Sequence, residues 1–152
     1  MIVGSETRFS AARGIGDLAE GPAVIATVAF SARYDLDRET GTISRLSHPL
    51  HGTSIAHQIL IFPGVQGGVA GAWAFLAMAA TGVGPAGLVF ADSNPVVVQG
   101  AVAAGIPILD GIDRDVFSKV RNGDFVTLDP RSRILILKRT RSPTEAGGAI
   151  QP

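Results

Sequence analysis

Glycines at positions 64, 67, 68 and 71 lie between a short apolar run and a stretch of small apolar residues. The run is HQILIF (57–62), the turn PGVQGGVAG (63–71), and the following segment AWAFLAMAATG (72–82). Glycine lets the backbone turn tightly and brings its N–H groups close to whatever lies above a helix start. The helix dipole adds partial positive charge at that point. The pattern points to a backbone-lined cradle for a carboxylate or phosphate at the start of the following helix. The same glycines would equally serve close strand–helix packing with no ligand. The turn is not a nucleotide loop: it lacks the lysine and hydroxyl of GxxxxGK(S/T), and its spacing, GxxGGxxG, is not GxGxxG.

Three histidines, His48, His51 and His57, fall within ten positions just before this turn. Such clustering invites a metal reading. Pro49 and Gly52 make the segment a loop, however, and no Asp or Glu lies between Gly41 and Gly71 to complete a ligand set. A loop histidine acting as acid, base or hydrogen-bond donor suits His51 better. The plain alternative is a histidine that satisfies loop backbone groups. Asp92, Ser93 and Asn94 follow another apolar run, at the place where parallel sheets face ligands, although helix capping explains them as well. Arg33, Tyr34 and Asp35 follow the first apolar strand and are available to a substrate or a partner; Trp73 suits a core or an interface. There is no GxSxG, no HExxH and no paired carboxylate set. A complete active site is not visible in this chain, which suggests a subunit that completes a site on another chain.

Composition sets the limits. The 152 residues fit one domain, with 46% hydrophobic and only 17% charged residues. Much of the chain must be hidden, in a large core or beneath a partner. Thirteen basic residues balance thirteen acidic ones, which disfavours nucleic acid or an anionic membrane as partner. No cysteine is present, so disulfides and thiolate ligation of an iron–sulfur cluster are excluded for this chain. The N-terminal residues do not form a secretory signal, and no apolar run approaches the ~20 residues that span a bilayer. A cytoplasmic location is the expectation.

The elements that must position these residues follow from apolar runs and their punctuation. Residues 1–20 are polar and are expected to be a flexible segment, although Phe9 and Ile15 could pack locally. Strands are expected at AVIATVAF (23–30), HQILIF (57–62), AGLVFA (86–91), IPIL (106–109), FVTLD (125–129) and RILILKR (133–139), the last two as a hairpin. The polar turn DLDRETG (35–41) leads to TISRL (42–46) as a returning strand. Helices are expected at 72–80, apolar nearly all round and hence buried, and at PVVVQGAVAAG (95–105), capped by Asp92, Ser93 or Asn94. A shorter capped stretch, DRDVFSKV, follows at 113–120. The alternation in the middle implies parallel pairing, and the ends look like hairpins. The reading is a mixed α/β domain over 21–139, with a parallel centre and an antiparallel layer, and a disordered tail over 140–152.

Laid out in this order, the segments resemble the small subunit, or swivelling domain, of the aconitase X family, from about Gly21 to Leu137. The resemblance is carried by AFSARYDLDRETG, HPLHG (48–52), PGVQGGVAGA against the family's PxGRGSxxGS, GPAGLVFAD against APAAIV, and GAVAAGIPIL against GAIVA…GIPV. It implies a swivelling β/β/α fold and a larger, cysteine-bearing partner subunit that carries an iron–sulfur cluster. It also implies a dehydration reaction, on substrates of the cis-3-hydroxyproline or mevalonate 5-phosphate class, with a serine in the glycine turn as the catalytic base.

This chain departs from that pattern where it counts. The family's Gly-Ser is Gly67–Gly68 here, its arginine is Gln66, and the aromatic and glycines after Phe30 are Ser31, Ala32 and Arg33. Glycine at position 68 cannot take a proton. The base then comes from His51 or from the partner, with Arg33 and His51 as secondary substrate contacts beside the amides of Gly67, Gly68 and Val69. The rival expectation is a non-catalytic anion-binding or regulatory paralogue that kept the fold and lost the chemistry.

Overall fold

The computed structural model describes residues 3–31, 35–37, 39–66 and 69–141. Its main sheet has eight strands in the order β1-β10-β9-β3-β6-β7-β8-β2. These are β1 (Val3–Ser10), β2 (Arg13–Ile15), β3 (Ala19–Ile25), β6 (Ile59–Gly64), β7 (Gly87–Asp92), β8 (Ile108–Asp110), β9 (Phe125–Asp129) and β10 (Ile134–Arg141). A separate pair, β4 (Leu36–Asp37) and β5 (Thr42–Ile43), forms a small antiparallel hairpin. The helices are α1 (Val69–Ala80), α2 (Pro95–Ala103) and the single turn α3 (Val116–Lys119).

The expected β6-α1-β7-α2-β8 alternation is present, with β3, β6, β7 and β8 parallel. The β9–β10 hairpin is present as well. Strand β3 joins the two layers. Its first half, Ala19–Pro22, pairs antiparallel with β9, and its second half, Ala23–Ile25, pairs parallel with β6. Only Ala11 and Ala12 separate β1, at one edge of the sheet, from β2 at the other, so the sheet curls until its edges approach. Gly14 makes that closure possible: a Cβ there would lie 2.8 Å from the Cα of Pro130 in the β9–β10 turn.

Period-two alternation along β6 divides the core. Ile59 and Ile61 face the inside of the curled sheet with Val89, Leu109, Val126, Leu128 and Leu135. Leu60 and Phe62 face the helices with Leu88, Phe90, Phe75 and Met78.

Three expectations need correction. The first strand runs over Ala19–Ile25 rather than 23–30. The segment before residue 21 is paired, not loose: β1 matches β10 over eight residues and Phe9 is buried. The β1 sequence, VGSETRFS, is polar from Ser5 to Arg8 and shows no alternation, so it gives no strand signal to read. Helix α1 is apolar all round but buried on one face only. Ala74, Phe75 and Met78 are inside, whereas Val69 and Trp73 are each 64% exposed, so Trp73 is no core residue. The tail expected at 140–152 lies outside the described residues from 142 onward.

Candidate functional site

The glycine turn leaves the C-terminal end of β6, the edge of a parallel sheet where ligands bind. Past β6 the chain stays extended: Val65 bridges to Phe30, the Phe30 N–H donates to the Gly64 carbonyl at 3.0 Å, and the Gln66 N–H donates to the Phe30 carbonyl at 2.7 Å. Gln66 is thereby fixed and exposed at the rim, and Val69 opens α1 with its side chain in solvent. Gly67, Gly68 and Arg33 lie outside the described residues.

The segment after Phe30 leads to the part of the site that is not apparent in the sequence. The Asp35 N–H donates to the Ser31 carbonyl at 2.9 Å, and the Ser31 N–H donates back to Asp35 Oδ2 at 2.8 Å. Asp35 sits just before β4. Pairing of Leu36 with Ile43 puts it opposite Ser44, whose N–H donates to the Asp35 carbonyl at 2.7 Å. The next residue, Arg45, donates from Nη1 to Asp35 Oδ1 at 3.1 Å. Gly41 closes the hairpin with φ +67°, in the left-handed region, and a Cβ there would lie 2.8 Å from the Val83 carbonyl. Asp35 is 1% exposed, so an unpaired carboxylate there would cost several kcal/mol, and the two N–H donors offset that cost.

His48 is the buried histidine of the HPLHG loop. The Leu50 N–H donates to its Nδ1 at 3.0 Å, which assigns the hydrogen of the neutral ring to Nε2. Nε2 lies 4.0 Å from Asp35 Oδ2, too far for a hydrogen bond, and is buried without a hydrogen-bond partner among the described residues. His51, the sequence candidate for acid or base, is exposed, and its backbone N–H donates to the His48 carbonyl at 3.1 Å. His57 is also exposed, at φ 60°.

A cavity of about 240 Å³ opens between the loop after β5 and the end of β6, lined by Arg45, Ser47, His48, Pro49 and Gln66. The structure therefore brings Gln66 to a cavity and leaves His51 and Val69 outside its lining. Asp35 was singled out only as one of three residues after the first apolar strand, and its partner Arg45 was missed, because strands of two residues carry no periodicity. Folding DLDRETG back on TISRL in register would have set Asp35 opposite Ser44, next to Arg45. Among the described residues no group of three His, Cys, Asp or Glu side chains is placed to hold a metal ion.

The Asp92–Asn94 segment caps a helix: Asn94 Oδ1 accepts from the Val97 N–H at 2.9 Å, with Pro95 in the first turn. Beside it, buried Asp110 accepts from the Ser93 N–H at 2.9 Å and pairs with Arg13. Burial alone would raise the Asp110 carboxyl. The Ser93 N–H, the nearby Ser93 hydroxyl and the Arg13 guanidinium outweigh it and hold the group below its ordinary value. Ser93 Oγ makes no hydrogen bond of ordinary geometry among the described residues.

Comparison with known proteins decides the family. The model of the aconitase X swivel domain matches residues 8–137. The chain belongs to the aconitase X swivel-domain family. The phosphomevalonate dehydratase small subunit of Methanocella arvoryzae is 33% identical over 122 residues, covering 80% of this chain and 92% of the relative. The corresponding small subunit of Methanothrix thermoacetophila is 34% identical, covering 80% and 88%. The crystal structure of Thermococcus kodakaraensis aconitase X in its holo form superposes with a TM-score of 0.79 at 28% identity, over 86% of this chain and 98% of that one. The swivelling-domain fold, with its parallel centre and antiparallel strands, is thus the family's.

Proposed function

We propose that this chain is the small subunit of an aconitase-X-type hydro-lyase that acts on a small hydroxy acid of the phosphomevalonate class. Identity to phosphomevalonate dehydratase small subunits across most of both chains is the observation that carries this reading. It favours the phosphomevalonate class over hydroxyproline. The cavity between Arg45 and Gln66 agrees with it, because it offers a cation and neutral donors to an anionic substrate.

A larger partner subunit follows from the same reading, and it is the chain that would hold an iron–sulfur cluster. This chain has no cysteine with which to ligate one. Such a cluster supplies a Lewis acid for the departing hydroxyl. What this chain contributes is substrate binding and orientation: Gln66 at the rim, Arg45 and Ser47 across the cavity, and the amides of Gly67, Gly68 and Val69 at the start of α1. His48 Nε2 is buried with no hydrogen-bond partner among the described residues, whereas the side chain of His51 is exposed, so His51 is this chain's candidate base.

Co-purification from the native host tests the assembly. A stable heteromer with a larger, cysteine-bearing chain is expected, and a solitary small chain under gentle lysis contradicts it.

A further inference from the structure

We propose that Arg45, held from behind by Asp35, is the residue that binds the anionic group of the ligand in the cavity between the loop after β5 and the end of β6. The identification of that anion with part of a substrate rests on the reading above. The anion site itself rests on geometry.

Arg45 lines the cavity with its side chain 49% exposed, while the Asp35 side chain behind it is 1% exposed. The carboxylate does not line the cavity; Val28, Ala29, Ser47, His48, Pro49 and Gln66 complete the wall, and none of them carries a negative charge at neutral pH. The charge facing the cavity is therefore positive. A guanidinium has five N–H donors in a flat fork, and the bond to Asp35 accounts for one. Arginine can give one edge to Asp35 and another to an oxyanion, which an ammonium cannot do with the same geometry. Asp35 is itself tied to the Ser31 N–H, and Ser31 follows Phe30, which holds Gln66, so both walls of the cavity hang from one short segment. The arrangement is preorganised, and Arg45 does not lose much freedom when a ligand arrives. A volume of about 240 Å³ equals several waters at about 30 Å³ each, room for a phosphate or a carboxylate with a short tail.

The test follows backbone and Arg45 Nε resonances of the full chain by NMR during titration with inorganic phosphate, and separately with acetate. Saturable shifts at Arg45, Ser47 and Gln66 are expected. Arg45→Gln should weaken phosphate binding about 10- to 100-fold, the loss of a charge-assisted hydrogen bond, and Arg45→Lys by less. The double variant Asp35→Asn/Arg45→Gln avoids an unpaired buried carboxylate and should bind as weakly as Arg45→Gln while keeping the fold. The relative response to phosphate and acetate distinguishes the two oxyanions. Unchanged phosphate affinity in Arg45→Gln, or shifts confined to other surfaces, overturns the proposal. In a complex with the larger subunit, Arg45→Gln should raise KM far more than it lowers kcat. Phosphate binding through Arg45 without any dehydration by the complex would leave this site standing and remove the hydro-lyase reading. Dehydration with an unchanged KM in Arg45→Gln would do the reverse.

Discussion

His48 Nε2 lies 4.0 Å from Asp35 Oδ2, with both side chains almost wholly buried. Asp35 is the joint of this region: it takes the Ser31 N–H and the Arg45 guanidinium, and its backbone carbonyl takes the Ser44 N–H. A hairpin only two residues deep on each side is thereby bound to the strand that leads into the glycine turn.

Replacement of Asp35 by Ala should destabilise the chain by about 2–3 kcal/mol, because it strands the buried Ser31 N–H and opens a void. Arg45 is half exposed, so its own share is small. A double-mutant cycle with Arg45→Ala, read by urea unfolding, should give a coupling of only about 0.5–1 kcal/mol. A coupling near the full loss would mean that the ion pair, rather than the backbone bond, holds the segment.

His51→Ala should leave the unfolding midpoint nearly unchanged, since the side chain is exposed. In the proposed complex with a larger subunit it should lower kcat by about 10²-fold or more, with KM little altered, as removal of a general base does. An unaltered kcat assigns the base to the partner.

Gly100 separates two opposing effects. Alanine would gain about 1 kcal/mol of helix propensity in α2. Its Cβ would sit 2.6 Å from Ala72 Cβ and 2.7 Å from Ala72 Cα on α1, however. Overpacking should win, with a net loss of about 1–3 kcal/mol in thermal or urea unfolding.

The depressed Asp110 carboxyl makes a pH prediction. Its folded value lies below the ordinary 3.8, so it contributes stability above the unfolded value and loses it as pH falls through the folded one. The melting temperature should fall as pH drops from about 5 toward 2, and Asp110→Asn should flatten that limb while lowering the plateau above it. An identical acid limb in the variant would contradict the assignment.

Much of the fold was legible because the buried strands are apolar runs bounded by glycine and proline. HQILIF, AGLVFA and FVTLD fall close to β6, β7 and β9. Strands β1 and β2 were not legible, since Phe9 is their one buried large apolar residue among those whose burial is described, and their pairing depends on distant partners in β10 and β8. Of the site, Gln66 and the HPLHG loop stood out in sequence. Which histidine of that loop is buried did not stand out: it is His48, whose ring accepts the Leu50 N–H just past Pro49. The Asp35–Arg45 pair depends on hairpin register, which motif spacing does not carry.

The central claim is that this chain supplies half of a dehydratase site. Its most direct test is to combine the purified chain with the larger, cluster-loaded subunit and follow water loss from mevalonate 5-phosphate. The account predicts turnover only when both chains are present. A larger subunit equally active alone, or a well-formed complex inert toward phosphorylated and unphosphorylated hydroxy acids alike, would contradict it.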